Sequence, residues 1–555
     1  MISAPMPSAW ERARRRVDPE DPVISWAASL GITALAFFLR IIDLSTPQKF
    51  EFDETYYAKD AWSLAHFGYV KQYVGDADEK ILEGTTTGIW KDDPSLIVHP
   101  EVGKWLIALG EKAFGMDPFG WRIAAVVAGS LMVLVMIRLA KRLTGSTLLG
   151  CVAGLLLAFD GLAFVLSRMA LLDIFMALFM LMAVTSIVID RDWYRDRLAH
   201  LQPEPITDSA SWGPIRGLLF RPWLVASGVC WGLAVGTKWT ALFPMAAFGV
   251  LVWLWSASAR RSFGVRHFRL RSALVDGVPA FASIVVLAGI VYTATWTGWL
   301  LHADEYESSY SSTQYTRFSG SGHCEDESFV DDNPNNDRWP TQTQKDATGL
   351  GEVVQSLRSL VNYHQDVYTF HSHYLSCSEH SYASSPAGWL LINKPVSVAV
   401  ELDIEPGEQG CTAASDSTCL RQVVLSGTPV IWWVGIGALL YSLAMWIGAR
   451  DWRFGFISVG ALSTWLPWLR YDDRPIFYFY AIAVLPFTVL ALTMVIGKLI
   501  GPSRGVSRRR TIGVVISGVF LVMALLNFAL FWPVFTFDLL TRSEWVDRIW
   551  FSRWI

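Results

Sequence analysis

The sequence predicts an all-α polytopic membrane protein with about eleven membrane-spanning helices. Two observations carry that reading. Of the 555 residues, 52% are hydrophobic and only 17% are charged, against about 25% charged in soluble domains. Apolar runs near the roughly 20 residues that cross a hydrocarbon core recur along the chain, with the charge held between them. An ordinary soluble enzyme and a disordered chain are thereby excluded. A net charge of −4 gives no electrostatic support to nucleic-acid binding. That average conceals an asymmetry. Residues 302–427 hold 18 acidic and 6 basic residues, a local charge of −12, so the remainder carries +8.

Taken in order, the predicted spans are 23–42, 119–140, 147–164, 170–189, 222–237, 240–257, 274–298, 428–447, 454–469, 476–497 and 511–533. Asp160, Arg168 and Asp173 interrupt the stretch from 147 to 190, and 222–257 reads as two spans or as one bent span. Basic residues follow every second span: Arg138, Lys141 and Arg142; Arg191, Arg195 and Arg197; Arg260 to Arg271; Arg450 and Arg453; Arg504 to Arg510. Arg12 to Arg16 precede the first. Positive charge marks cytoplasmic loops, so the N-terminal tail 1–22 is expected in the cytoplasm and the tail 534–555 outside, in a plasma-membrane protein. The first span reads as a signal anchor, since no A-x-A cleavage site follows it.

This topology divides the chain into a transmembrane module, 23–301, that includes an outer loop 43–118, then a large outer loop 302–427 between spans seven and eight, then helices 428–533. Four of the six cysteines, Cys324, Cys377, Cys411 and Cys419, lie in the large loop, where an oxidising compartment permits disulfides. Cys411 and Cys419 could close a small loop, although spacing alone leaves the pairing open. Cys151 and Cys230 fall within spans and read as packing residues. Segment 319–348 is rich in Ser, Asp, Asn, Gly and Pro and reads as a mobile loop.

Polar groups at the outer helix ends are the candidates for chemistry. Asp53 and Glu54 stand just beyond the first span, ahead of a stretch with Tyr57, Ala61, Leu64 and Ala65 on one helical face. Asp53 there is an N-cap, a general base presented above the bilayer, or both. His99-Pro100 resembles the start of a second amphipathic surface helix running to Phe114. Arg122, Arg168, Asp173, Lys238, Arg470 and Arg474 all map to the same membrane side. Snorkelling toward headgroups explains any one of them. Several converging beside an acid point to an anionic lipid headgroup, which a guanidinium can bind through two hydrogen bonds. In the large loop, Tyr363, Phe370 and Tyr374 share one helical face and His364, Tyr368 and His371 a neighbouring one. The His371-Ser372-His373 fragment is weak as a zinc signal, and an aromatic helix packed at the membrane surface is the better reading.

Together these fragments resemble the protein O-mannosyltransferase family, membrane enzymes of the GT-C glycosyltransferase fold. The matching pieces are Phe52-Asp53-Glu54, His99-Pro100-x-x-Gly103-Lys104, Arg122, Ser167-Arg168-x-x-Leu171-Leu172-Asp173, Lys238-Trp239, and Tyr363-His364 with Phe370-His371. Trp389 to Pro395 fits only loosely, and His99-Pro100-Glu101 departs from the His-Pro-Pro common in the family. The absence of MIR repeats from 302–427 is similar to the bacterial branch.

The resemblance implies a polyprenyl-phosphate-mannose donor and Ser or Thr hydroxyls of secreted or membrane proteins as acceptors, with single-displacement inversion. On this basis Asp53 is the expected base and Glu54 its orienting partner. Arg122, Arg168, Lys238 and Arg474 are expected on the donor phosphate. Asp173, expected to hold Arg168, is a supporting residue, as are His99, His364 and His371. Family members associate with one another and with the secretion machinery, so a translocon partner is an expectation too. No further cofactor is implied, and a divalent-metal requirement is left open. Three rivals remain: another GT-C enzyme acting on a lipid or glycan, a lipid transporter or flippase, and a structural subunit of a secretion assembly. The lack of internal repeats and the one-sided polar groups count against the transporter.

Overall fold

The computed structural model describes residues 21–310, 339–342, 345, 347–372, 375, 378–471, 474–501 and 507–554. Most of the N-terminal tail, Cys324, Cys377, His373, Tyr374, Arg504 and most of segment 319–348 lie outside them. Each of the eleven predicted apolar segments holds helix. Eight described helices are long and apolar enough to cross a membrane: Pro22–Ile41, Pro118–Thr144, Asp173–Leu201, Arg216–Val235, Trp239–Ser262, Phe268–Thr295, Pro429–Ala449 and Arg508–Phe531. The other three segments contain the shorter helices Thr147–Ala158, Trp452–Trp465 and Leu485–Ile500.

Local chemistry sets the breaks. Asp21 and Asp117 each accept a backbone N–H of the first turn, ahead of Pro22 and Pro118, satisfying donors that a helix start leaves orphaned. Asp160 ends the 147–164 segment early. Its carboxylate caps the short Gly161–Leu166 helix through Ala163 and accepts from Thr428 N and the Trp432 indole at 3.2 and 2.7 Å. The 222–257 stretch is two helices, parted at Gly236-Thr237-Lys238. The Pro222–Val235 helix meets Phe268–Thr295 through Gly228 and Gly232. A Cβ on Gly228 would lie 1.8 Å from the Ser283 carbonyl oxygen, and one on Gly232 2.6 Å from Val291 Cβ. Small residues four apart admit this close backbone approach.

The Glu54–Phe67 helix buries Tyr57, Ala61 and Leu64 as expected. It also buries Lys59, Asp60 and Ser63, so it is embedded in protein more than laid on the membrane. The second amphipathic helix begins two residues later than expected, at Val102, and ends at Phe114. In the large outer loop, helix Leu350–Ser372 is docked by fully buried Tyr363, whose hydroxyl accepts from Ile97 N–H among Trp296, Trp299 and Tyr306. Tyr368 is 62% exposed, so it does not share the inward face of His364 and His371.

The helical reading of the sequence missed the strands. Antiparallel β1 (Lys71–Tyr73) and β2 (Trp90–Pro94) pair in the first outer loop. In the second, β3 (Val396–Ile404), β4 (Cys419–Leu425) and β5 (Leu540–Thr541) form an antiparallel sheet in that order, so the C-terminal tail completes a sheet begun in the 302–427 loop. Cys411 and Cys419 are disulfide-bonded across the β3–β4 connection. The crosslink closes a short loop, which in the chain-entropy account is worth about 2–3 kcal/mol. Replacing both cysteines by serine should therefore make the β3–β4 hairpin markedly more sensitive to limited proteolysis, while the helical bundle stays resistant.

Candidate active site

The site is assembled where the Glu54–Phe67 helix starts, at one end of the bundle. Phe52 adopts a left-handed backbone, φ 53°, uncommon for a bulky residue and typical of sites where the chain is aimed. Its ring is held edge-on by Phe477 and Phe479, with centroids 5.6 and 5.8 Å away. The next residue, Asp53, occupies the N-cap position, yet its side chain does not cap the helix. It turns inward, and Oδ2 accepts from the Tyr57 hydroxyl at 3.2 Å. Oδ1 has no hydrogen-bond partner among the described residues. Burial raises the carboxyl to about 6, while nearby Lys238 and the Tyr57 hydrogen bond pull it down. A carboxylate in that range accepts a proton at neutral pH better than an ordinary aspartate does.

Glu54 points the opposite way and is completely buried. Oε1 accepts from Arg122 Nε and from Ala170 N, both at 2.9 Å; Oε2 accepts from Arg122 Nη2 at 2.7 Å and from Glu51 N at 3.1 Å. All four acceptor directions are filled. Glu54 thus anchors the start of the helix beside Asp53 and has no oxygen left for proton transfer.

Arg122 is the other half of that anchor. Beyond Glu54, it donates to the carbonyls of Leu44, Pro47 and Lys49 at 2.9–3.1 Å. Arg168 donates to the carbonyls of Arg40, Ile42 and Asp43, closing the C-terminal end of Pro22–Ile41, where carbonyls lack helical partners. Both arginines, expected on a phosphate, have these donors committed to backbone. The physical reason is that a desolvated guanidinium needs many acceptors, and irregular backbone supplies them.

Asp173 holds Lys238, not Arg168. Lys238 Nζ donates to both Asp173 oxygens at 2.9 Å and lies 4.2 Å from the centroid of the Tyr480 ring. Asp173 starts the Asp173–Leu201 helix, and Lys238 sits in the turn after Pro222–Val235. The pair therefore forms because those two helices pack side by side. His99 stacks on His371 at 5.4 Å and faces Tyr57 at 6.3 Å. His371 Nε2 lies 3.2 Å from the Val98 carbonyl, and Arg474 Nη1 donates to the His371 carbonyl at 3.0 Å and to Nδ1 at 3.2 Å. That pattern makes Nε2 the protonated nitrogen. Burial, reinforced by Arg474, lowers His371 to about 4, and burial with Lys238 and His371 pushes His99 well below its ordinary value. Both imidazoles are neutral at pH 7.

Arg474 keeps a buried Nε with no partner. It borders an open cleft of about 550 Å³ lined by Ser378, Glu379, His380, Ser381, Ala383 and Pro475, and His380 packs on Phe52. His364 is tied differently. Nδ1 donates to the Leu360 carbonyl, and Nε2 accepts from the Tyr292 hydroxyl, which also receives the Trp239 indole N–H. It braces the Leu350–Ser372 helix against Tyr292 and Trp239.

Residues 31–288 match the family model described as dolichyl-phosphate-mannose-protein mannosyltransferase, and 356–554 match the C-terminal four-transmembrane region of protein O-mannosyltransferase. A polyprenol-phosphate-mannose–protein mannosyltransferase of Mycolicibacterium smegmatis is 31% identical over 541 residues, covering 97% of this chain and 94% of its own. This chain belongs to the protein O-mannosyltransferase family. The Mycobacterium tuberculosis relative of the same description is 30% identical, over 97% of this chain and 93% of that protein. In fold, the chain is similar to the Saccharomyces cerevisiae Pmt1–Pmt2 protein O-mannosyltransferase complex bound to the sugar donor. The TM-score is 0.67 at 13% identity, over 99% of this chain and 94% of that one. The protein O-mannosyltransferase architecture, the GT-C arrangement implied by the motifs, is therefore the architecture here.

Within that family framework the sequence brought Asp53, Asp173, Lys238, His99, His371 and Arg474 to one end of the bundle, and the structure gathers them there. It missed Tyr57 as a partner of Asp53 and Tyr480 as a neighbour of Lys238. For Tyr57 a signal existed, because residues four apart on a helix lie on one side. For Tyr480 none did, since hundreds of residues separate it from Lys238.

Proposed function

We propose that this protein transfers mannose from a polyprenyl-phosphate-mannose donor to Ser or Thr hydroxyls of proteins, on the extracytoplasmic face of the plasma membrane. The observation that carries the reading is Asp53. It is a half-buried carboxylate with one unengaged oxygen, set within the field of a buried ammonium at the membrane end of a helical bundle. The acceptor hydroxyl is a poor nucleophile, and Asp53 Oδ1 takes its proton as the oxygen attacks the anomeric carbon. The departing polyprenyl phosphate gains charge, which Lys238 and the unengaged side of Arg474 stabilise. Attack opposite the leaving group inverts the anomeric centre. Glu54 and Arg122 act by holding Asp53, Asp173 by holding Lys238, and His99 and His371 as a neutral wall that leaves the phosphate to the permanent cations. The basic residues Arg138, Lys141, Arg142, Arg191 and Arg195 crowd the opposite helix ends, which supports an outward-facing site.

The test is incubation of membranes with polyprenyl-phosphate mannose and a Thr-rich peptide. Mannosyl-peptide with inverted anomeric configuration is expected; label appearing only in lipid or glycan would overturn the reading. The rate should rise with pH through about 6 as Asp53 loses its proton. Tyr57→Phe removes a hydrogen bond that favours the charged carboxylate, so Asp53 should titrate higher. The acidic limb then moves to higher pH and turnover falls about tenfold, as expected for one charge-assisted bond. An unmoved pH profile would remove Tyr57 from the site.

A further inference from the structure

The Leu350–Ser372 helix is docked on the protein through one face, yet it carries a second apolar face. The docked face is Ser359, Leu360, Tyr363, Asp366 and Val367, all buried. Leu350, Val353, Val354, Leu357, Val361 and Tyr368 lie on another face, at the three- and four-residue spacing of a helical stripe. Each of the six is 38–86% exposed. A contiguous exposed apolar surface of this kind marks a place of contact. The polar residues of the helix fall on a third side: Arg358 and Gln365 are exposed there, and Asn362 and Thr369 half-buried. One side thus meets protein, one is apolar and one is polar. A helix lying in a membrane interface against a protein flank needs that division, because its neighbours are protein, hydrocarbon and water.

His364 shows which neighbour the apolar side meets. Around the helix it stands between the docked face and the stripe, three residues after Val361 and four before Tyr368. Its Nε2 accepts from the Tyr292 hydroxyl, and its ring stacks on Trp239 at 5.6 Å. Tyr292 belongs to the last turn of the span Phe268–Thr295. Two residues before it, Ile290 is 61% exposed on the lipid-facing side of that span. His364 therefore points to where the span leaves the bilayer. The stripe borders His364 and continues the lipid-facing surface that Ile290 begins, while the polar side is turned farther away from Tyr292. The aromatic residues gathered at the junction, Tyr292, Trp239 and Trp296, suit the boundary between headgroups and hydrocarbon.

We propose that this stripe is seated in the bilayer, at the boundary of headgroups and acyl chains in the leaflet on the Asp53 side. The helix has a further tie to the site near its C-terminal end, where Arg474 donates to the His371 carbonyl and His371 stacks on His99. Lipid contact along the stripe therefore sets the height of the His99–His371 wall above the hydrocarbon. The inference rests on the spans crossing a membrane and not on the transfer reaction.

Site-specific photocrosslinking of the full-length protein in liposomes of phosphatidylcholine and phosphatidylglycerol tests this. The photoreactive residue p-benzoylphenylalanine replaces Leu357 or Val361 on the stripe, Arg358 on the polar side, or Ile290 on the span as a lipid-facing reference. After irradiation with a Thr-rich peptide present, adducts are identified by mass spectrometry. Lipid adducts at 357 and 361 should exceed those at 358 about fivefold or more and approach the level at 290. Lipid adducts at 357 and 361 no more frequent than at 358 would overturn the proposal. So would adducts there mainly to the peptide, to a second copy of the chain or to another segment of the same chain, each of which would name a different occupant of the stripe. Should either stripe variant fail to fold, the same residue placed at Val353 carries the comparison.

Discussion

Asp53→Asn is expected to lower turnover about a thousandfold, within the range for loss of a positioned general base, while donor affinity is unchanged. The substitution preserves shape, and the Tyr57 hydroxyl can still donate to the amide oxygen as it does to Oδ2. What disappears is the unengaged carboxylate oxygen proposed to take the acceptor proton. Lys238 keeps Asp173 as its partner at 2.9 Å, so the cationic side of the site persists. Steady-state kinetics with saturating donor measure the effect; a variant within fivefold of wild type would rule Asp53 out as the base. The fold should respond in the other direction. Burial moves Asp53 from its ordinary 3.8 to about 6, so between those values the native state holds a proton that the unfolded chain has released. Stability from this group is present below pH 4 and lost as pH rises through 6. The asparagine variant lacks that loss and should be relatively more stable at pH 7 than at pH 4, compared with wild type, by thermal unfolding.

Arg122→Ala should destabilise the protein by about 3–5 kcal/mol, the cost of stripping one partner from a buried ion pair. Glu54 would stay buried with only the Glu51 and Ala170 amides, and the carbonyls of Leu44, Pro47 and Lys49 would lose their donor. Activity should fall through displacement of Asp53. Arg122→Lys should rescue little, because an ammonium cannot reproduce a planar fork that spans a carboxylate and three carbonyls. Thermal unfolding in parallel with donor titration separates the two readings of this residue. A large drop in unfolding temperature fits the anchor. An unchanged unfolding temperature with a weakened donor KM would return Arg122 to the phosphate.

These cases show where legibility ended. The motifs put Asp53 and Glu54 side by side, yet nothing local says that one faces the cavity and the other the core. That division follows from the left-handed turn at Phe52 and from which acceptors Arg122 finds. All four candidate cations map to one membrane side by hydropathy alone. Arg122 and Arg168 find their carbonyl partners on irregular backbone between helices, which has no periodicity to read. Strands β1, β2 and β5 escaped because each is short, and β5 pairs with β4 across more than a hundred residues.

By itself the sequence determined the bundle and its two polar ends, because hydrophobic periodicity and the cost of charge in lipid act on every segment independently of its neighbours; the chemistry to expect there came from the resemblance of its motifs to a family. Only the tertiary structure decided which charges are fully engaged and which keep an unengaged atom. A buried ion spends its donors on whatever acceptors the packing of distant segments brings within about 3 Å. That selection gave Arg122 and Arg168 to the backbone, Asp173 to Lys238, and left Asp53 with a free oxygen.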